Sequence, residues 1–550
     1  MKEAYMTRRK PVRSLPDNPS FESDRKRAKS LLHALREGDA KALKRLETHH
    51  PQFQQDREEP ISPADLRLAD AQLVIAREYG LSSWPQLKLQ IKQMTSSLAE
   101  RLEAFLQQAC RGSLDQAKRM LEHDPSLARA DLYAACATGD SQRALALLGE
   151  DRKLASAPGG SLGWPPILYI AFSRFAGESE GHRRGMAKIA ERLLDLGADP
   201  NSYCLFDPHD RHSRIPVLCG ASGDSNQPAV TRLLLERGAE PNDAESIFHA
   251  AEAMNEECLE LLLEHGADVN ADPNRYGNRP IYFLFGYRQA HAGSQTILQG
   301  IRWLLEHGAD PNRTSTEEEE TALQMAVRNG WGEEAIKLLL DHGADVDVKR
   351  KDGKTAYQLA ALYGNVEGAT LLAEHGGEMA LEASELFLAE CGAGNRESAL
   401  LLLSENPDLV QRLTLEQQGV LPAAAGLPND PAVRLLLEFG LPIDATDADG
   451  ATALHIAAWS GYRSTAQILL AAGASLEVLD DTHEATPLGW VAHGSTWCRN
   501  PQGDYVGVAE DLIAAGALFS SPPSDIDSSL STASDEVADV LRRYGAVDGR

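Results

Sequence analysis

From about residue 100 onward the apolar positions come in paired bursts. A block of small apolar residues is followed by a glycine-containing break and then by a leucine-rich block that itself ends on glycine. The second block is written LLDLGADPN at 193, LLERGAEPN at 234, LLEHGADVN at 262, LLEHGADPN at 304, LLDHGADVD at 339, LLAAGASLE at 469 and LIAAGALFS at 512. Its glycines fall at 197, 238, 266, 308, 343, 376, 473, 516 and 545, with Phe439-Gly440-Leu441 as a variant. The steps from Gly308 to Gly343 and on to Gly376 are 35 and 33 residues, so the chain repeats with a period near 33.

One unit, 449–479, shows what the pattern dictates. Asp449-Gly450 forms a turn, and Thr452 is placed to cap a helix begun by Ala453, Leu454, Ile456 and Ala457. Ser460-Gly461 breaks that helix, and 464–472 supplies a second one whose Ile468, Leu469 and Leu470 spread apolar surface over more than one face. A single unit cannot bury that surface, so neighbouring units must stack. Gly473 then ends the second helix in the left-handed region.

The run Thr452-Ala453-Leu454-His455-Ile456-Ala457, together with Thr486-Pro487-Leu488, resembles the Thr-Pro-Leu-His-x-Ala signature of the ankyrin repeat family. Weaker copies begin at 131, 321 and 354. The resemblance implies an all-α ankyrin-repeat solenoid of about a dozen helix-turn-helix units with short outward β-hairpin loops. The units LLLSENPDL at 401, without the closing Gly-Ala, and VRLLLEFGLPID at 433, with Leu441 for Ala, are degenerate copies. The expected organisation is a basic tail at 1–27, a helical N-terminal cap region at 28–98, and the array at 99–548. Insertions are expected near 174–185, 202–215, 286–298 and 494–506. The phrase LADAQLVIAREYGLSSWPQLK looks like the segment that precedes ankyrin repeats in many bacterial proteins, which implies a bacterial source.

Composition narrows the partners. Lys plus Arg is 54 and Asp plus Glu is 81, a net charge of −27 that repels phosphate backbones and anionic membranes. The exception is residues 1–30, with nine basic residues against four acidic. Seven scattered cysteines do not make a disulfide framework and fit a reducing cytoplasm. The sequence offers neither a secretory leader nor an 18-residue apolar run.

Several short patterns suggest chemistry. Gly177-Glu178-Ser179-Glu180-Gly181 matches G-x-S-x-G. In the repeat register, however, 167–172 is a first helix and 185–196 a second, which places Ser179 in a loop insertion. Cys204, His209, His212 and Cys219 are chemically competent zinc ligands in a non-standard spacing. Asp447 and Asp449 fail as a calcium loop because Ala445 and Ile456 occupy its first and twelfth positions. Gly353-Lys354-Thr355 lacks the upstream glycine of a phosphate loop, since Val348 stands there. His265, His307, His342 and His375 each precede a terminating glycine and are placed to meet helix-end carbonyls. The run Glu317 to Glu320 reads as a solvated turn or helix start.

The remaining expectation concerns the face that stacking creates. Aligning first helices on Trp459 puts Glu252, Arg328, Leu362 and His493 in one column. Trp and Arg are favoured anchors because they combine contact area with a polar handle. Lys349, Arg350 and Lys351 form a basic tip. The reading is a noncatalytic, cytoplasmic scaffold that binds a protein partner on its concave face. It expects no cofactor, nucleic acid, membrane or small-molecule substrate. The alternatives are a serine hydrolase centred on Ser179 and a metal-stabilised sensor using Cys204, His209, His212 and Cys219.

Overall fold

Small apolar residues in many first helices, such as Leu132–Thr138 and Ala453–Ser460, let successive units approach, while leucines in the second helices close the core behind them. The computed structural model describes residues 13–16, 19–53, 66–81, 83–205, 213–271, 277–287, 293–315, 318–518 and 533–544. The helices of the array run in pairs: Leu98–Cys110 with Leu114–His123, Leu132–Thr138 with Ser141–Glu150, and Pro166–Ala171 with Glu180–Asp195. Val217–Cys219, continued as a π-turn through Gly220–Asp224, pairs with Pro228–Glu236. Then come Ser246–Glu252 with Glu256–Glu264, Pro280–Phe285 with Ser294–Glu306, Ala322–Arg328 with Glu333–Asp341, and Ala356–Leu362 with Val366–Glu374. Ala383–Gly392 with Arg396–Glu405 is the first degenerate unit. Val420–Ala425 with Asp430–Glu438, Ala453–Ser460 with Arg463–Ala471, and Pro487–Thr496 with Tyr505–Ala514 complete the pairs, and Asp535–Arg543 is the final helix. About a dozen units are thus present.

The terminating glycines do what the pattern requires. Gly197, Gly238, Gly266, Gly308, Gly343, Gly376, Gly440, Gly473 and Gly516 all have positive φ, while Gly545 lies outside the described residues. Beside them, His265, His307, His342 and His375 each place Nδ1 2.7 to 2.9 Å from the carbonyl oxygen four residues earlier. The expected helix-end role holds at all four.

Strand pairing is sparse among the described residues. β1 (Tyr203–Leu205) and β2 (Arg214–Pro216) form one antiparallel pair, and isolated bridges occur elsewhere at Gly159–Trp164 and Thr446–Thr452. The loops are instead bound unit to unit by side-chain amides. Asn201 donates to the Gly238 carbonyl at 3.0 Å and accepts from the Glu240 N–H at 2.9 Å. Asn242, Asn270 and Asn312 repeat the same two bonds to the next loop, ending at Gly343 and Asp345. This gives the GADPN phrase a physical reason: its last residue is a rung of a ladder.

The buried apolar residues of the array form two clusters, one spanning Phe105 to Leu372 and the other Leu362 to Leu541. They meet at Ala356–Leu362, where Leu359 belongs to the first and Leu362 to the second. Tyr363 packs against both, and just beyond it a Cβ on Gly392 would lie 2.7 Å from the Gly364 Cα, so there backbone meets backbone. Ahead of the array, Phe21–Arg36, Ala40–His49, Leu68–Glu78 and Trp84–Thr95 enclose a third core around Leu35, Leu46 and Ile75. Arg45 reaches Glu78 there at 2.6 Å. The first twelve residues of the basic tail lie outside the described residues.

Candidate partner-binding face

Glu252, Arg328 and Leu362 each close their first helix, and Trp459 and His493 sit in the last turns of theirs. The column is therefore real as a register, but its members meet different surroundings. Leu362 is 0% exposed and packs in the second core cluster, so it offers no surface to a partner. Its expectation as a contact residue is overturned, because it is buried in the core it shares with Phe387 and Leu388 of the degenerate unit.

Arg350 is a second correction. Its side chain is only 7% exposed, and its guanidinium pairs with Asp352 at 2.6 Å, with Glu320 at 3.3 Å and with Glu416. It is the centre of an ion cluster, not the tip of a basic loop. Lys349 and Lys351 beside it are exposed, and Lys349 pairs with Glu378 at 3.3 Å.

Arg328 belongs to the same cluster. It forks onto Glu320 with bonds of 3.1 and 2.9 Å, and the Tyr282 hydroxyl donates to Glu320 at 2.8 Å. Glu320 is thus a buried, fully partnered carboxylate, where the acidic run suggested solvation. Burial works against its charge, but Arg328 and Arg350 outweigh it and hold the carboxyl below its usual range. Glu317 lies outside the described residues. The missed signal was register: Glu320 directly precedes the capping Thr321, the position taken by buried Ala451 and Ala485 in later units.

Glu252 faces a comparable set. It accepts from the Tyr287 hydroxyl at 2.7 Å, and His249 Nδ1 lies 2.8 Å from its other oxygen. Burial opposes the charge on His249, but hydrogen bonds to Glu245 and Glu252 prevail and hold its pKa up at about 10.

At the far end of the face, Trp459 and Trp490 are both half-buried, with ring centroids 5.7 Å apart at 68°. A Cβ at Gly494 would lie 2.3 Å from the Trp459 carbonyl oxygen, and this close approach of successive first helices brings the two indoles together. Trp490 donates from Nε1 to Asp480 at 3.0 Å, which fixes the ring. His493 is half-buried, and burial pushes its pKa down. Trp490 escaped the column because it stands one turn earlier in its helix.

Beneath them, His455 shows how the signature works. Its Nδ1 accepts from the Thr452 N–H at 3.1 Å, which leaves the proton on Nε2 to donate to the Ala485 carbonyl at 3.0 Å in the next unit. Gln324 and Gln358 perform the same task elsewhere, accepting from Thr321 and Thr355 and donating to Val348 and Ala380.

The chemical alternatives find explanations of their own. Ser179 is the N-cap of Glu180–Asp195, preceded by a 3-10 turn and not a strand. Its Oγ lies 2.8 Å from His182 Nδ1 and accepts from the His182 N–H at 3.3 Å, within one exposed helical turn. The motif is therefore a helix start and not the loop insertion that the register suggested. Cys204 lies on β1 and Cys219 ends Val217–Cys219, both buried, while His209 and His212 lie outside the described residues. No group of three His, Cys, Asp or Glu side chains fit to hold a metal occurs among the described residues. No helix there is long and apolar enough to cross a membrane.

Comparison with known proteins agrees with this geometry. Models described as ankyrin repeats match residues 218–314, 289–382 and 421–470. The ankyrin repeat domain-containing protein SAT10 of Stachybotrys chartarum is 28% identical over 259 residues, covering 46% of this chain and 12% of that protein. The ankyrin repeat and SOCS box protein 6 of Homo sapiens is 26% identical over 292 residues, covering 48% of this chain and 66% of its own. The solved ankyrin repeat domain of human ASB11 is 23% identical, with a TM-score of 0.35, covering 46% of this chain and all of that one. The chain spans less than two thirds of the length of these curated relatives. Paired helices, left-handed closing glycines and the ankyrin matches together make the array an all-α ankyrin-repeat solenoid.

Proposed function

We propose that the chain is a noncatalytic, cytoplasmic scaffold that binds a protein partner across the concave face formed by its first helices and loops. Ankyrin repeats are in general protein–protein interaction modules. The observation that carries the reading here is the half-buried Trp459 on a first helix whose other residues are buried. A large aromatic left at a repeat surface is the type of residue that anchors interfaces. The contact set we propose is Trp459, His493, Lys349, Lys351, Glu252 and Arg328. The net charge of −27 supports a protein over nucleic acid or an anionic membrane. The N-terminal phrase at 68–88 supports a bacterial source, whereas the relatives named above are fungal and human.

The test is affinity capture from the native cell with Trp459→Ala and Lys351→Glu combined. The partner should be lost while the circular dichroism spectrum stays unchanged, and undiminished capture would remove the site. Arg328→Ala is unsuitable as a surface probe, since it strips a partner from buried Glu320.

A further inference from the structure

The scaffold reading leaves the chemistry of the partner open, and the last full units narrow it. Between Leu441 and Asn500 the chain carries seven acidic residues against two basic ones. Both arginines are engaged: Arg463 with Asp504 and Asp511, and Arg499 with the Thr496 carbonyl. Two successive loop tips bring carboxylates together, because the Asp481 N–H donates to the Asp449 carbonyl at 2.9 Å. Gly450 makes this possible: a Cβ there would lie 2.6 Å from the Asp481 carboxylate. Glu484 follows in the same turn, held with φ at 50°. Asp449, Asp481 and Glu484 are all exposed, and none forms an ion pair within the described residues.

This acidic tip is continuous with the indole pair. Asp480, the neighbour of Asp481, accepts from Trp490 Nε1 with one oxygen and from the Thr482 and His483 N–H groups with the other. Its acceptors are therefore occupied, and the charge available to a visitor is that of Asp449, Asp481 and Glu484. The edge-to-face indoles add half-exposed π-surface beside it. Aromatic faces attract cations through the ring quadrupole, and carboxylates nearby add Coulomb attraction.

We propose that Trp459 and Trp490, rimmed by Asp449, Asp481 and Glu484, seat a lysine- or arginine-bearing segment of the protein partner. The proposal rests on the scaffold reading and specifies it. A flexible cationic side chain would lay its stem on the indoles and direct its charge to the rim.

The test uses the full chain and a fluorescein-labelled peptide of alternating lysine and alanine, with its fully acetylated counterpart as control, in fluorescence anisotropy. The unmodified peptide should bind and the acetylated one should not. Trp459→Leu or Trp490→Leu should raise Kd roughly tenfold. Because either indole contributes packing, the exposed pair Asp481→Asn and Glu484→Gln is measured in parallel, and should raise Kd roughly threefold and flatten its salt dependence. Absent binding, equal binding of the acetylated peptide, or unchanged affinity in the tryptophan variants would overturn the seat. That last outcome would mean diffuse attraction to an acidic chain. If the peptide fails while native capture still depends on Trp459 and Lys351, only this inference falls. If capture is also indifferent to them, the scaffold site falls with it.

Discussion

The stretch from Gly197 to Asp345 and the stretch from Gly376 to Asp444 are built from the same paired helices but held together differently. In the first, four asparagines bond every loop to the next in both directions. In the second the ladder thins. Asp347 accepts from the Glu378 N–H at 3.0 Å, and the next such rung within the described residues is Asp444 to Ser475. The unit between them ends at Asn406 without a left-handed glycine, and the buried core divides next to it. The family matches break at the same place, stopping at residue 382 and resuming at 421. Past the degenerate helices Arg350 bonds Glu416, 66 residues away. The comparison teaches that a repeat array can lose its periodic polar register if a nonperiodic ionic contact spans the loss.

The sharpest way to break this account is to remove the spanning contact. Arg350→Ala leaves Glu320 buried with one cation fewer, leaves Asp352 with Lys354 alone, and removes the arginine from Glu416. Deleting one member of a buried ion pair costs about 3 kcal/mol or more. Urea unfolding should then split, with the units after 420 melting before those between 197 and 345. A single coincident transition, displaced by under about 0.5 kcal/mol, would show that the degenerate unit holds by apolar contact alone.

The same logic predicts a smaller effect for His455→Leu, which orphans the Thr452 N–H and the Ala485 carbonyl at a buried site. About 2 kcal/mol should be lost, read as a shifted urea midpoint at unchanged slope. Removing a rung in the regular run is milder. Asn312→Ala deletes two exposed bonds, to the Gly343 carbonyl and from the Asp345 N–H, for about 1 kcal/mol. A cost matching that of Arg350→Ala would erase the distinction between ladder and clamp.

How much of this could be read beforehand follows the same divide. The closing glycines, the helix-end histidines and the cap at Thr452 were legible because each acts within its own unit, at fixed offsets from its neighbours. The ladder was visible only as a phrase: GADPN repeats, but nothing in one copy says that its asparagine bonds the next. Arg350 and Glu320 were misread because the contacts that bury them, to each other and to Tyr282 and Glu416, reach 30 to 66 residues along the chain, and charge in a loop suggests water until register shows which position faces inward. Leu362 was misread because the column alignment treats every unit alike, whereas this residue is buried in the core it shares with the degenerate neighbour. Trp490 was missed because one turn of helix separates it from the column, although the close approach at Gly494 returns it to Trp459.

The smallest effect concerns pH and sharpens the contrast on the far side of the gap. His455 is held neutral, since burial lowers its pKa below the ordinary value of 6.5 and its Nδ1 must accept from Thr452. The folded state therefore binds its proton less readily than the unfolded chain. The stability this contributes is fully present above pH 6.5, and it is lost as pH falls from there toward the depressed folded value. Gln324 and Gln358 make the same two bonds without a titrating group, so His455→Gln should keep most of the stability at pH 7.5 and lose less than the native chain on acidification. The quantity to measure is the difference between native and variant unfolding free energies at pH 7.5 and 5.5, which cancels the other titrating groups. Parallel pH dependence in the two proteins would mean that the buried imidazole accepts a proton without breaking its cap, and that the bond to the next unit does not depend on the ring staying neutral.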